Sequence, residues 1–467
     1  MKLKSTDRVC VVGGGLAGLA AAALAQRQGV QSVTLVESAP KLGGLLRSRH
    51  IEGMGSFDFG THVLEDTGIE VLDEALFQGM ESSDGWNAYA SCPSATFFGG
   101  NLSKSGFVDV RGLGDEVHNL GLKQMLGLPR FEGAENLDQY VRKTFGDVFA
   151  EKVFSPVLKK FFGTNLEELI PLAHHLVGMS RLVCGTPEEA KALKAANDWN
   201  DERFAFHDPR VGARPVRHLY PQSGGIGQWA EKVTTDLQAK GVAIKAGTAI
   251  DSCHIEGCSV TSLNLADKTT IAFDQLIWTA PPFALLKVVG AQMPAGMVRP
   301  RFCQTLLFDF IIDQPVKMCD VFYVSCYDPS MKTFRVTLYD VLEGRPGRTP
   351  SRLTVEVMLP PVNGAQDEKV SESNILAELV QMGVLPVESK ILKSATQLVS
   401  PGFPVMTPQF IGSCAKLTKA AGALAENVTL LGRASGQSFF MRQVLQEVHD
   451  TIVVGQSGLE DSRGNVG

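Results

Sequence analysis

At 467 residues, 44% of them hydrophobic and 20% charged, the chain has the length for two or three domains with real cores and is not composed like a disordered one. Its net charge of −6 includes no basic cluster long enough to follow a phosphate backbone, so a small or lipid-like substrate is expected and nucleic acid is not. None of the nine cysteines forms a Cys-x-x-Cys pair, and the shortest spacing, Cys253 to Cys258, suits neither a zinc site nor a disulfide framework, so reduced thiols and no metal are expected.

Met1 to Arg8 is short and polar, and the apolar run after it is broken by three glycines, unlike the core of a signal peptide. No stretch reaches the roughly 20 unbroken apolar residues of a membrane span. A cytoplasmic location follows as the expectation, with peripheral membrane contact left open. Arg8 to Val12 reads as a strand, Leu16 to Gln28 as an Ala/Leu-rich helix and Ser32 to Val36 as a second strand, a βαβ unit. From about Glu70 to Arg214 the pattern is mostly helical, with apolar residues three and four apart between Leu137 and Leu169. A glycine-rich turn, Pro221 to Gly227, leads into a helix over Gln228 to Lys240, then short strands around Val242 to Ile250 and Ser259 to Leu265, and one at Gln275 to Thr279 that stops against Pro281-Pro282. Thr305 to Ile312, Val321 to Ser325, Phe334 to Tyr339 and Leu353 to Leu359 read as an antiparallel sheet. After Pro401 and Pro404 come a strand, Val428 to Leu431, a Gly432-Arg433 turn and a last helix from about Phe440. No internal repeat is evident.

Gly13-Gly14-Gly15-Leu16-Ala17-Gly18 is a GxGxxG motif between a strand and a helix. Gly13 permits the tight turn, Gly15 the approach of a pyrophosphate, and Gly18 close packing of helix on strand. The phosphates would sit on the helix N-terminus at Leu16 and Ala17. Glu37, about 20 residues on and followed by Ser38, is placed to accept the ribose hydroxyls. Dinucleotide binding follows from strand, glycines, helix and acid in register.

Lys41-Leu42-Gly43-Gly44-Leu45-Leu46-Arg47 and Phe57-Asp58-Phe59-Gly60-Thr61-His62 come next. With them the sequence resembles the flavoprotein clan of protoporphyrinogen oxidase, the monoamine and polyamine oxidases, phytoene desaturases and UDP-galactopyranose mutase. The resemblance implies FAD, with Gly43, Gly44 and Leu45 close to the cofactor, Arg47 reaching its pyrophosphate, and Gly60, Thr61 and His62 beside the flavin ring, His62 being the candidate catalytic residue. Four further segments resemble the clan: Phe154 to Gly163 with Lys160, Tyr220 to Gly227, Trp278 to Pro282, and Leu430 to Gly436. By that alignment Ile250 holds the adenine through its backbone, Ala280 closes the cofactor domain, and Gly432, Arg433 and Phe440 form the final cofactor segment, where a helix N-terminus favours the anionic reduced flavin.

The fold expected is α/β, a Rossmann-type FAD-binding domain of glutathione reductase-like form from residues 1–75, 216–290 and 415–467. An α+β substrate domain accompanies it, made of inserted helices over 76–215 and an antiparallel sheet over 291–414. On the substrate side, His207, Arg210, Arg214, Arg217 and His218 form a basic stretch that either faces an anionic substrate or is a solvated face; Arg217 and Tyr220 are the substrate candidates. Oxidation, dehydrogenation or desaturation of a small or apolar substrate is the activity expected, with non-covalent FAD, because Cys414 does not stand where the clan's covalent flavin cysteine stands. Two alternatives remain: a mutase of a sugar nucleotide, although Arg301-Phe302-Cys303-Gln304-Thr305 lacks that branch's Tyr-Arg-Ser segment, and a flavin-binding protein without turnover. Substrate, electron acceptor and oligomeric state stay open at this level.

Overall fold

The computed structural model describes residues 2–206, 216–361 and 370–455. His207, Arg210 and Arg214 of the basic stretch lie outside the described residues. The chain divides into two units, Met1–Ala90, Arg214–Val298 and Gly412–Val466 in one, Ser91–Ala213 and Arg299–Ile411 in the other.

The first unit is built on a five-stranded parallel sheet in the order Ala243–Ala246, Ser32–Glu37, Arg8–Val12, Gln275–Trp278, Val428–Leu430. Its centre is β1 (Arg8–Val12), apolar from Val9 onward because both faces are covered. Ala-rich α1 (Leu16–Arg27) follows, with Gly18 to Ala25 all buried, and then β2 (Ser32–Glu37). Cys10, Val12, Leu276, Trp278, Leu285 and Ala434 share one core, so the last segment of the chain is packed into the same cluster as the first. Arg8 grips Asp274 at the start of the neighbouring strand (Nη2–Oδ1 2.7 Å), and that guanidinium, through its hydrogen bond, holds the Asp274 carboxyl down at about 2.

The second unit carries a seven-stranded sheet in the order Ile391–Val399, Gln304–Ile312, Ser351–Leu359, Thr333–Leu338, Tyr323–Cys326, Ser94–Phe98, Asn101–Ser103. Every pairing in it is antiparallel except that of Tyr323–Cys326 with Ser94–Phe98. Phe145, Phe149, Phe154, Phe161 and Phe162 form one fully buried aromatic cluster with Phe334 and Met358 of the sheet. The stretch from Glu70 is mostly helical as read, but it also holds short strands that the sequence reading did not separate out. Pro93 and Gly99-Gly100 bracket Ser94–Phe98, a strand too short for sequence periodicity to show, which pairing with Tyr323–Cys326 completes. The edge strand Ile391–Val399 was likewise unexpected, since a half-exposed edge carries polar residues. Tyr339 opens a short helix, Tyr339–Leu342, instead of closing a strand. Gly146, at φ 86, breaks the helix Leu137–Phe149 near its end. Among the described residues no helix is long and apolar enough to cross a membrane.

Candidate functional site

The glycine turn sits at the carboxyl end of β1, where open α/β sheets bind ligands. Gly13, at φ 102, donates its N–H to the Val36 carbonyl at 2.9 Å. A methyl group on Gly13 would lie 2.4 Å from the Thr279 hydroxyl, and one on Gly18 would lie 1.7 Å from the Gly13 carbonyl oxygen. Both positions are therefore closed to any side chain. Gly15 is the reverse case: a methyl group there meets nothing nearer than the Gly44 Cα at 4.0 Å. The space above Gly15 is open, and α1 begins beneath it with no side-chain cap and no acidic residue in its first turn. The first N–H groups of that helix, at Leu16, Ala17 and Gly18, have no partner within the helix and carry its positive end.

Glu37 ties the site together from β2. Its carboxylate accepts the Gly14 N–H at 2.6 Å, the Ala39 N–H at 2.7 Å and the Ser38 hydroxyl at 3.2 Å. Three of about four acceptor positions on a carboxylate are thereby used, so the Glu37 side chain is held rigidly beside the turn. The chain leaving Ala243–Ala246 is fastened to the same loop, because Gly247 donates its N–H to the Ala39 carbonyl at 2.9 Å; Ile250 opens the next strand three residues later. Gly43 donates to the Gly14 carbonyl at 2.7 Å, and a methyl group on Gly44 would come within 3.2 Å of the Gly15 Cα. Only a glycine pair allows these two loops to meet so closely. Leu45 is exposed. Arg47 donates from Nε to the Gly44 carbonyl at 2.7 Å and lies over the Phe59 ring, 5.4 Å from its centre. Its two terminal nitrogens take no other protein partner among the described residues.

The Phe57 to His62 segment contains a buried node at Asp58. Its carboxylate accepts the Tyr220 hydroxyl at 2.6 Å, the Ser48 hydroxyl at 2.6 Å and the Ile226 N–H at 2.9 Å. Asp58 thus fastens the Tyr220 turn to the strand pair Ser48–Ile51 and Gly55–Asp58. This corrects the reading of Tyr220 as a substrate residue: it is 0% exposed, so the hydroxyl is spent on Asp58. Arg217 is a different case: its guanidinium binds Asp66 (Nε–Oδ2 2.7 Å) and Glu81 (Nη1–Oε1 2.8 Å) while 39% of its side chain stays exposed. Gly60, at φ 101, is buried, while Thr61 and His62 beyond it are half-buried.

Two segments from later in the chain complete the turn's surroundings. Thr279 donates through both its N–H and its hydroxyl to the Val12 carbonyl, at 2.9 and 2.8 Å, which brings Ala280 against Gly13. Gly432, at φ 65, lies so near α1 that a methyl group there would be 2.7 Å from the Ala17 Cβ. Arg433 stacks over the Phe439 ring at 4.4 Å, and Phe440 is exposed beside it. Sequence reasoning gave no role to Asp58 or to Glu447. Glu447, in the helix Met441–His449, has its carboxyl raised by burial, which outweighs the opposing influence of Ser435 and Ser438, and Oε2 has no partner. Asp58 was visible inside its motif, but nothing in the string indicates that its partner is 162 residues away.

Residues 11–75 match the family described as NAD(P)-binding Rossmann-like domain. Among curated proteins the sequence finds no match. Solved structures are similar over nearly the whole chain. Reduced UDP-galactopyranose mutase aligns over 96% of this chain and 94% of its own at 14% identity, with a TM-score of 0.71. A candidate protoporphyrinogen oxidase from Exiguobacterium sp. aligns over 95% and 97% at 17% identity, with a TM-score of 0.63. A conjugated-linoleic-acid-producing fatty acid isomerase from P. acnes aligns over 96% and 98% at 15% identity, with a TM-score of 0.55. The chain shares their fold. That fold is the one implied by the motifs of the flavoprotein clan, and the glycine turn lies within the matched Rossmann-like segment.

Lys160, the residue of the mutase-like helix, belongs to the second unit, whereas that turn belongs to the first. Its ammonium donates to three backbone carbonyls, of Cys326 at 3.0 Å, Asp328 at 2.9 Å and Thr333 at 2.8 Å. All three of its donors are used, so it ties the helix Ser155–Phe162 to the sheet. Arg301, in the segment compared with the mutases, pairs with Glu168 at 3.3 Å. Among the described residues no group of three or more His, Cys, Asp or Glu could hold a metal ion.

Proposed function

We propose that this chain is an FAD-dependent oxidoreductase of oxidase, dehydrogenase or desaturase type, acting on a small or apolar organic substrate in the cytoplasm. The observation that carries the reading is the open space at Gly15, which only Gly44 approaches, with Gly432 set against Ala17 of the same helix start. The first βαβ unit suffices for a dinucleotide; Gly43-Gly44 and Gly432 are the segments that the clan resemblance assigns to a flavin. The residues present fit it. The N–H groups at the start of α1 and the terminal nitrogens of Arg47 would hold the pyrophosphate, Glu37 the ribose, Ile250 the adenine and Gly432 the flavin edge. Bound FAD would supply the hydride acceptor, and His62 is the candidate for moving a proton beside it. Burial raises the Cys414 thiol, which works against the thiolate a covalent flavin link needs.

The mutase reading has one observation in its favour, the likeness of fold to UDP-galactopyranose mutase. Against it stands Lys160, whose donors are all spent on backbone. Purified protein is expected to be yellow and to release intact FAD on denaturation; colourless protein that takes up no FAD sinks the proposal. Reduction by an added donor followed by reoxidation separates an enzyme from a flavin carrier without turnover. A flavin adduct formed by reduced protein with a UDP-sugar would replace the oxidoreductase reading with the mutase one.

A further inference from the structure

The seven-stranded sheet of the second unit has one polar face. Its register aligns Thr96, Ser325, Arg335, Glu356, Leu307 and Gln397 in a row across six strands, and the neighbouring row on the same face holds Tyr323, Thr337, Thr354 and Asp309. The alternate row, on the other face, is Ala95, Val324, Val336, Val355 and Phe308. Thr96, Ser325, Thr337, Thr354, Asp309 and Glu356 are all buried. A buried ion pair does little for stability compared with an apolar pair of the same size, so its presence at the middle of a sheet asks for another reason.

Arg335 is that pair's cation. Glu356 takes one edge of its guanidinium, Nε–Oε1 at 2.7 Å and Nη2–Oε2 at 3.0 Å, and the Phe334 ring lies 5.2 Å beneath it. Glu356 side-chain exposure is 3%, whereas Arg335 keeps 22%. Among the described residues Glu356 is the only side chain that hydrogen-bonds it. The second edge of the fork, Nη1 with the remaining Nη2 hydrogen, is left over and rigidly aimed, an arrangement suited to a second planar or tetrahedral oxyanion. Asp309, the other carboxylate in these rows, stands two strands away, about 10 Å by strand spacing, and accepts the Thr354 hydroxyl at 2.6 Å.

We propose that Arg335, oriented by Glu356, binds an oxyanion of the substrate, a carboxylate or a phosphate. The assignment rests on reading the second unit as the substrate-bearing one. The test is calorimetric titration of the full-length protein as purified with laurate, as a carboxylate on an apolar chain, and with UDP, as a phosphate. Because R335M alone would strand a buried carboxylate, the main variant is R335M/E356M, with R335K beside it to keep the charge but lose the fork. Wild-type binding of one probe, weakened at least tenfold in the double variant and less in R335K, is expected; laurate would identify a carboxylate and UDP a phosphate. Absence of wild-type binding to both, or equal binding by folded R335M/E356M, overturns the assignment. Heat measured on binding does not depend on flavin colour, so colourless protein would defeat the FAD reading while leaving this titration readable.

Discussion

The turn at Gly13–Gly18 and the sheet face around Arg335 treat polar groups in opposite ways. At the turn, side chains are removed and backbone N–H groups are left to meet whatever arrives, so the site is made of absence. On the sheet face, side chains are buried and paired until one edge of one guanidinium remains. The first arrangement depends on where a Cβ cannot be; the second depends on which partners are kept. Substitutions at the two should therefore fail differently.

The largest effect is expected at Gly18. G18V places carbon 1.7 Å from the Gly13 carbonyl, and a core clash of that kind costs about 4 kcal/mol or more; chemical denaturation should find little folded protein. F161A comes next. The ring is fully buried against Phe334 at 4.9 Å, and its loss should lower unfolding free energy by about 3–5 kcal/mol in the second unit, read as a lower denaturation midpoint. K160M leaves three carbonyls without a donor and should cost about 3 kcal/mol without changing FAD content, whereas a specific loss of activity with unchanged stability would give Lys160 a catalytic role.

Acid gives a smaller effect with a definite sign. Burial lowers the His175 imidazole to about 4 and also depresses that of fully buried His174 well below its ordinary value. Folded protein then binds fewer protons than unfolded protein below the ordinary histidine value of about 6.5. Stability is complete above that pH and falls as pH drops from about 6.5 to 4, by roughly 3 kcal/mol at most for His175. Thermal melts across this window should show the slope, and H175Q should reduce it, leaving the part due to His174.

The smallest effect on stability is expected at Gly15. G15L enters open space at a φ of −79 that any residue adopts, so its melting temperature should stay within a few degrees of wild type while bound FAD is lost. Retained colour in G15L would show that the space above Gly15 is not the cofactor site. G15L and G18V, three residues apart, thus separate filling the site from breaking the fold.

Much of the first unit was legible because its signals are local. Gly13 to Gly18, the Ala-rich helix and Glu37 lie within one βαβ unit, and each residue's task follows from geometry within that unit. Tyr220 was misread because its motif showed a hydroxyl without showing Asp58, which takes it; Asp66 and Glu81, the partners of Arg217, were equally invisible in the string. Ser94–Phe98 was missed because five residues carry too few periods to be told from the helices around them.

The sequence by itself determined that a strand, a glycine turn and a helix N-terminus stand ready for a dinucleotide, since backbone conformations open mainly to glycine are written in the residue type. Only the tertiary structure decided that Gly432 closes on Ala17, that Asp58 reaches Tyr220, and that Arg335 shares a sheet row with Glu356. Those pairings join positions 21 to more than 400 residues apart, and packing and strand register, not local preference, select them.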